Sequence, residues 1–258
     1  MVTFCVIPAR YGSLRFPGKP LALIKDKPLV QHVYEKAKAS KLITEVFVAT
    51  DDIRIFNTVK HFGGNAIMTS SKHPSGTDRI SEAVDKLIKE GYSLSENSII
   101  INLQGDEPFI KVEMINQLVR LMKKGKNYIG TLVKQIEDEK DFQNPNIVKV
   151  VFNEKGYALY FSRSPIPFNR ERFITGLAQN QFMYKHIGIY GYTVKTLKKF
   201  VSLPQSALEK IESLEQLRAL ENGIKIKVSI TEYDSFGIDT PDDLKTAEKL
   251  FSIFSQPQ

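Results

Sequence analysis

Short apolar runs alternate with longer stretches of helical period through the first half of the chain. Runs rich in Val, Ile and Phe occupy residues 3–8, 45–49 and 98–103, and charged or small residues bound each of them. Such runs predict buried strands. Apolar side chains recur on one face over residues 28–40 and 77–90, which predicts amphipathic helices. This alternation predicts an α/β protein with a largely parallel sheet covered by helices on both faces.

The pattern changes after residue 128. Strand-like pieces and helical periods follow there, the strands near 129–133, 147–153, 157–161, 187–191 and 225–230, and the helices near 192–202, 208–222 and 241–253. Several strands in succession predict a smaller antiparallel element inserted into one continuous fold. Residues 164–183 contain two prolines and no clean period, which predicts an irregular connection. Since no repeat or linker is visible, we expect a single domain over residues 1–258.

Composition is that of a globular protein and leaves several classes of partner open. The 258 residues, 42% of them hydrophobic, suffice for one large domain with a sizeable core. A formal net charge of +7 permits nucleic acid, a membrane surface or an anionic small molecule as partner. The basic residues are spread along the chain without an RNA-binding signature, so we interpret them as solvated faces and expect no nucleic-acid partner.

Cysteine usage and hydropathy indicate the compartment. Cys5 is the one cysteine and lies inside an apolar run, which predicts a buried thiol in a chain without disulfides. The first ten residues lack the features of a secretory leader, and no apolar run approaches the ~18 residues of a membrane span. We therefore expect a cytoplasmic protein that does not bind a membrane.

A loop with three cations follows the first predicted strand. The segment "VIPARYGSLRFPGK" places Arg10, Arg15 and Lys19, with two glycines, at the carboxyl end of that strand, where ligands bind in open α/β sheets. Cations and backbone N–H groups there suit a polyphosphate. The glycine spacing matches neither a Walker A loop nor the dinucleotide-binding G-x-G-x-x-G. The alternative is a plain basic surface loop with turn glycines.

Two acidic segments could carry chemistry, and the first of them is a candidate for a metal site. "NLQGDEP" places Gln104, Asp106 and Glu107 after a predicted strand, and "GIDTPDDL" places Asp239 before a predicted helix. Carboxylates at a strand end could hold Mg²⁺ opposite a phosphate cradle, since Mg²⁺ prefers oxygen ligands and shares them with substrate phosphates. The alternative is structural: an acidic turn in the first segment, and in the second helix-start carboxylates with Thr240 as cap.

Acidic and hydroxyl residues at two other predicted helix starts also have two interpretations. "HPSGTDR" delivers Ser75, Gly76 and Thr77 to a helix N-terminus, where they could bind an anion or a base edge, or simply cap the helix. Asp51 and Asp52 follow the second predicted strand, and we interpret them as capping the next helix.

Four polar residues of the second half could belong to a site or to ordinary structure. They are His186 and Tyr190, in the apolar alternation "KHIGIYGY", and Glu215 and Gln216, in the helical pattern "LEKIESLEQLRAL". A lone histidine beside a strand is more often structural, and the helical pair could face solvent. No zinc site, Ser-His-Asp triad or catalytic cysteine is recognisable in the sequence.

Taken together, the motifs closely resemble those of the 3-deoxy-manno-octulosonate cytidylyltransferases. The resemblance runs in order over nearly the whole chain, through "IPARYGSLRFPGKPL", "VATDD", "HPSGTDRI", "NLQGDEP", "YALYFSRSPIPF", "KHIGIYGY", "LEQLRAL" and "GIDTPDDL". Tyr11 and the stretch 15–19 follow this family rather than the related CMP-sialic acid synthetases. The resemblance implies a nucleotide-diphospho-sugar transferase-like (Rossmann-like) three-layer fold.

The resemblance also implies an activity. It is the Mg²⁺-dependent transfer of CMP from CTP to the anomeric hydroxyl of 3-deoxy-manno-octulosonate (Kdo), with release of pyrophosphate. A homodimer that supplies activated Kdo for lipopolysaccharide is implied as well. An 8-amino derivative of Kdo is the nearest alternative substrate, and a non-catalytic nucleotide- or RNA-binding protein is the alternative from another class.

Residue roles follow from the same resemblance. The nucleotide would be bound by Pro8, Ala9, Arg10, Ser13, Arg15, Lys19, Ser75, Gly76, Thr77 and Gln104. The sugar would be bound by Gln104, Arg163, His186, Tyr190, Glu215 and Gln216. Catalysis would rest on Arg10, Lys19, Asp106 and Asp239, the two aspartates binding the metal. Residues 164–183 hold no recognisable family pattern, and we expect a sugar-side lid and dimer contacts there.

Overall fold

The protein is described here from a computed structural model, over residues 1–12, 15–125, 128–170 and 182–254. The strands are β1 (Thr3–Ala9), β2 (Leu23–Ile24), β3 (Lys27–Pro28), β4 (Glu45–Thr50), β5 (Ala66–Met68), β6 (Ile99–Asn102), β7 (Tyr128–Gln135), β8 (Lys149–Phe152), β9 (Ala158–Ser162), β10 (Tyr184–Thr193) and β11 (Lys225–Ile230). The α-helices are α1 (Leu29–Ala39), α2 (Ile53–His61), α3 (Gly76–Lys89), α4 (Val112–Lys123), α5 (Glu139–Gln143), α6 (Val194–Val201), α7 (Ala207–Glu212), α8 (Gln216–Glu221) and α9 (Pro241–Phe254).

Within the described residues, one nine-stranded sheet has the central order β11-β7-β10-β6-β1-β4-β5. Strands β6, β1, β4 and β5 are parallel neighbours, as the alternation of strands and helices predicts. Strand β10 is antiparallel to both β6 and β7, and β8 and β9 extend from it as an antiparallel pair. The expected mostly parallel sheet with a smaller antiparallel element is therefore confirmed.

The sheet is buried on both faces because β1, β4 and β6 each contain a run of consecutive apolar residues. In β1, Phe4 and Val6 face a core shared with α3 and α6, whereas Cys5 and Ile7 face a second core shared with α1, α2 and α4. Successive side chains of a strand point to opposite faces, so an unbroken apolar run needs helices on both sides. The free thiol of Cys5 is buried, as predicted.

Two predicted helix boundaries differ from the structure. The helix expected over 192–202 begins at Val194, because β10 continues to Thr193, whose hydroxyl accepts a hydrogen bond from the backbone N–H of Thr196 and caps α6. The helix expected over 208–222 is divided into α7 and α8. Ser213 ends α7 in the left-handed conformation, with φ 52°, and breaks the helical period there.

A buried ion pair fixes the corner between α7 and α8. The Arg218 guanidinium donates to both carboxylate oxygens of Glu209, at 2.6 and 2.8 Å. Glu209 also completes a capping box with Ser206 at the start of α7. This tertiary pair holds the two helices at an angle that sequence periodicity does not encode.

Two further expectations from sequence concern membrane-spanning helices and residues 164–183. No helix in the described ranges is long and apolar enough to cross a membrane. Of the segment 164–183, residues 171–181 lie outside the described ranges, so the expected lid stays a prediction.

The corner between α7 and α8 gives a prediction for stability. Arg218→Leu leaves the Glu209 carboxylate buried without its partner, so we expect the free energy of unfolding to fall by about 3 kcal/mol or more. Guanidinium chloride titration measures this. Lys245→Leu, which breaks an exposed pair with Asp242, is the matched control and should leave the midpoint unchanged. A wild-type midpoint for Arg218→Leu would contradict the role given to the pair.

Candidate active site

A cavity of about 530 Å³ opens at the carboxyl ends of β1 and β6. Of the residues that the sequence assigns to the nucleotide, it is lined by Pro8, Ala9, Arg10, Arg15, Lys19, Ser75, Gly76 and Gln104. Asp106 and Asp239 line the same cavity. Ser13 lies outside the described residues. The structure therefore brings the cationic loop and both acidic segments to one place.

The centre of the cavity is an ion-pair cluster around Lys19. Its ammonium Nζ lies 2.6 Å from an oxygen of Asp106 and 3.1 Å from an oxygen of Asp239. The other oxygen of Asp239 lies 2.9 Å from Arg15 Nη2. Lys19 is largely buried, with 13% of its side chain exposed, whereas the two carboxylates remain 30% and 48% exposed. Two carboxylates far apart in sequence thus approach the same position, each with surface left for a ligand.

The cationic loop is held to the start of α2 by an aromatic contact. The Arg54 guanidinium lies 3.3 Å from the centre of the Tyr11 ring and makes two hydrogen bonds to the Asp52 carboxylate. Gly18 has φ 72°, donates its N–H to Tyr11 O at 2.9 Å, and leaves room for the Tyr11 ring where a Cβ would lie. The turn that follows begins at Lys19, so these contacts orient its side chain.

Asp239 is fixed by its neighbours on both sides. Ile238 is fully buried and donates its N–H to the carbonyl of Asp106 at 2.9 Å. The Asp243 carboxylate accepts from the backbone N–H groups of Asp239 and Thr240, and the Thr240 hydroxyl accepts from Asp243 N–H. The predicted cap by Thr240 is confirmed, and the same geometry turns Asp239 toward Lys19.

Glu107 lies beside this cluster, and sequence reasoning gave it no role of its own. Its carboxylate accepts a hydrogen bond from the Ser235 hydroxyl at 2.8 Å. Burial, and then the charge of the neighbouring Asp106, raise the pKa of Glu107 to about 7. The sequence feature that could have identified Glu107 is its position directly after Asp106.

The loop before α3 packs on the end of β1. Ser75 caps α3 by accepting from Asp78 N–H, as predicted. A Cβ on Gly76 would lie only 3.3 Å from the Pro8 ring, so a glycine keeps this loop close to β1. The backbone N–H groups at the start of α3 therefore face the cavity side of β1, which suits an anion or a polar base edge.

Two further cavity-lining residues of the motif "HPSGTDR" were missed from sequence. His73 is paired with the carboxylate of Glu82. Arg79 is buried and donates to Thr69 Oγ1 at 2.6 Å and to Asp51 at 3.0 Å. The interpretation of Asp51 as a helix cap is therefore wrong, because its carboxylate is taken by Arg79. The flanking Ser75–Thr77 signal could have directed attention to both cavity residues.

A second group of polar residues adjoins the cavity. The Thr77 hydroxyl donates to the Glu215 carboxylate at 2.7 Å. Burial raises the pKa of Glu215, and the hydrogen bond from Thr77 opposes that rise. The rings of His186 and Tyr190 are 5.1 Å apart, and His186 Nε2 lies 2.9 Å from Thr131 Oγ1. Burial lowers the pKa of His186 to about 3, which keeps the imidazole neutral.

Arg163 and Gln216 are the remaining residues that the resemblance assigns to the sugar. Arg163 donates from Nε to Glu212 O at 2.8 Å and from Nη1 to Pro145 O at 3.1 Å, so it is anchored where α7 ends. Gln216 is buried and follows Glu215 at the start of α8. Gln104 reaches the same area, because its Cγ lies 3.9 Å from the position of a Cβ on Gly188 in β10.

Comparisons with known proteins agree with this geometry. The cytidylyltransferase family model matches residues 4–226. A 3-deoxy-manno-octulosonate cytidylyltransferase of Thermodesulfovibrio yellowstonii is 74% identical over 255 residues, which are 99% of this chain and 100% of the relative. An 8-amino-3,8-dideoxy-manno-octulosonate cytidylyltransferase of Shewanella pealeana is 48% identical over 250 residues, 96% of this chain and 98% of the relative.

A solved structure is also similar. It is that of a CMP:2-keto-3-deoxy-manno-octonic acid synthetase complexed with CTP, with a TM-score of 0.89 and 42% identity over 98% of this chain and 100% of that one. This likeness confirms the predicted fold class. The chain belongs to the cytidylyltransferase family, and within it to the 3-deoxy-manno-octulosonate cytidylyltransferases.

Proposed function

We propose that the protein transfers CMP from CTP to the anomeric hydroxyl of Kdo and releases pyrophosphate. The observation that carries the proposal is the approach of Asp106 and Asp239 to Lys19 inside a cavity lined by the cationic loop. Family membership supports the nucleotidyl transfer, and the 74% identical relative, named for Kdo, supports the sugar.

The two aspartates fit a Mg²⁺ site. Both offer carboxylate oxygens to a single cation, the Lys19 ammonium, and both keep exposed surface on the cavity. Mg²⁺ is commonly bound by one or two carboxylates together with substrate phosphates. We therefore assign Asp106 and Asp239 as its protein ligands. When bound, the metal supplies charge neutralisation at the α-phosphate and lowers the pKa of the sugar hydroxyl.

The cationic loop would hold the triphosphate of CTP. Arg10 and Arg15 line the cavity with exposed guanidinium groups, which can each make two hydrogen bonds to phosphate oxygens. Lys19 exchanges its carboxylate partners for phosphate oxygens in this proposal. Ser13 is assigned to the same loop on family grounds.

The nucleoside would lie between two backbone segments. Pro8 and Ala9 line one side of the cavity, and Ser75 and Gly76 line the other. Thr77 adjoins that second side. Gln104 stands between this nucleotide region and β10, so we assign it to contact both substrates. These contacts would orient the α-phosphorus for attack.

In the proposed mechanism the sugar hydroxyl attacks the α-phosphorus in line with the departing pyrophosphate. The guanidinium and ammonium groups of Arg10, Arg15 and Lys19 stabilise the charge on the transferring and leaving phosphates. The bond between the α- and β-phosphates breaks and the hydroxyl proton passes to solvent, so no residue needs to become a covalent nucleophile or to act as the base.

The second polar group would bind the sugar. Arg163 uses one donor on Nε and one on Nη1 for backbone carbonyls, which leaves guanidinium donors for the carboxylate of Kdo. The neutral imidazole of His186, the Tyr190 hydroxyl and the side chains of Glu215 and Gln216 suit the sugar hydroxyls.

The amino sugar remains the second candidate within the same reaction. Its support is the Shewanella pealeana relative, which is more distant than the one named for Kdo. A non-catalytic nucleotide- or RNA-binding protein has less support, because both aspartates and the cationic loop are present and assembled.

A homodimer and a cytoplasmic role in lipopolysaccharide synthesis complete the proposal. The dimer is supported by exposed apolar side chains on either side of residues 171–181: Leu159 and Phe168 before them and Phe182 after them are 61%, 74% and 73% exposed. A second subunit that covered these side chains would remove their apolar surface from water. Activated Kdo, as the product, gives the metabolic role.

Pyrophosphate release tests the substrates. CTP, UTP, ATP and GTP are each combined with Kdo, its 8-amino analogue and sialic acid in the presence of Mg²⁺. We expect release with CTP and Kdo. Release with CTP and the amino sugar alone would keep the mechanism and replace the sugar, whereas no release in any combination would contradict catalysis.

Substitution of the metal ligands tests the site. Asp106→Asn and Asp239→Asn each remove one carboxylate charge at constant size, so we expect kcat to fall by about 100-fold or more with an unchanged circular dichroism spectrum. Asp242→Asn, an exposed carboxylate near Asp239, serves as the control and should retain full kcat. Turnover within twofold of wild type for either aspartate would remove that residue from the metal site.

A further inference from the structure

The two proposed metal ligands reach the cavity from segments of different character. Asp106 follows β6, a central strand of the sheet, by four residues. Asp239 lies near the end of the stretch 231–240, which connects β11 to α9 without regular secondary structure. A metal that needs both carboxylates requires their separation to be fixed, so contacts between the two segments determine the geometry of the site.

Glu107 makes a side-chain contact of this kind. The Ser235 hydroxyl donates to its carboxylate at 2.8 Å, and Glu107 Cγ lies 3.9 Å from the position of a Cβ on Gly237. A backbone hydrogen bond from Ile238 N–H to Asp106 O joins the same two segments beside this side-chain contact. Glu107 therefore joins the segment that carries Asp239 to the turn that carries Asp106, one residue from Asp106.

Gly188 provides the room for this carboxylate. It lies in β10 where the pairing with β7 shifts register between Ile187 and Tyr190. A Cβ on Gly188 would approach Glu107 Oε1 to 2.9 Å, a separation too short for a stable contact. Gly188 does not have a positive φ, so its backbone would accept alanine without strain. A side chain at residue 188 would therefore displace the carboxylate of Glu107, which is the flexible end of that residue.

We infer that Glu107 is a positioning residue that holds Asp239 at a fixed distance from Asp106, and that residue 188 is glycine to leave its carboxylate in place. Glu107 acts through Ser235 and touches neither substrate. The inference rests on the proposed function, because it takes both aspartates to bind one metal ion.

A double-mutant cycle on metal binding tests the inference. Electron paramagnetic resonance of free Mn²⁺ measures the affinity of the full chain in the presence of CTP and without sugar, so that no turnover occurs. The variants are Gly188→Ala, Glu107→Ala and the two combined. Outer contacts to metal ligands typically change metal affinity 10- to 100-fold, so we expect each single variant to bind Mn²⁺ about tenfold more weakly. The double variant should bind within about twofold of Glu107→Ala, since the clash is then gone.

Gly191→Ala is the matched control. It lies in the same strand, and its Cβ would come within 2.6 Å of Met122 Cγ, a comparable clash away from Glu107. We expect it to lower the thermal unfolding midpoint while the Mn²⁺ affinity stays within twofold of wild type.

Three results would overturn the inference: additive losses in the double variant, a wild-type affinity in Gly188→Ala, or an equal loss in Gly191→Ala. Pyrophosphate release by the wild-type chain reports separately on the proposed function. Additive losses together with normal wild-type release would overturn the inference alone, and absent release would overturn the proposed function.

Discussion

The site depends on one electrostatic arrangement, in which the carboxylates of Asp106 and Asp239 meet the ammonium of Lys19. Like charges that approach one another repel, so two carboxylates at one position need cations beside them. Lys19 and Arg15 supply that charge in the structure described here. The need of the two carboxylates for positive charge makes the position suited to a metal ion, and the cations of Lys19 and Arg15 make it suited to phosphates.

Two different features of the fold bring Asp106 and Asp239 to Lys19. Strands β1 and β6 are parallel neighbours, so the cationic loop and the Asp106 turn leave the same edge of the sheet. The segment with Asp239 has no strand to guide it and is anchored instead by burial of Ile238 against Ile24 and Leu29. Apolar burial of one such side chain contributes about 2 kcal/mol, which adds to the hydrogen bonds that this segment makes with Asp106 and Glu107.

Local sequence patterns identified the parts of the protein that local interactions determine. The strands with unbroken apolar runs and the caps at Ser75 and Thr240 were predictable, because each depends on residues close in the chain. The sugar-side residues could be named only through resemblance. Sequence patterns failed where a residue distant in the chain determines the local structure. Ser213 ends a helix at a corner that a buried ion pair holds. The carboxylate of Asp51 pairs with Arg79 and does not cap a helix. The contact between Gly188 and Glu107 is of the same tertiary kind.

A crystal structure with CTP and Mn²⁺, in which anomalous scattering locates the metal, tests the convergence of Asp106 and Asp239 on one ion. We predict one strong Mn²⁺ peak coordinated by carboxylate oxygens of both Asp106 and Asp239, with Lys19 turned from these carboxylates to the phosphates. A peak that contacts only one of the two aspartates, or that lies away from Lys19, would contradict the claim that their convergence forms the metal site.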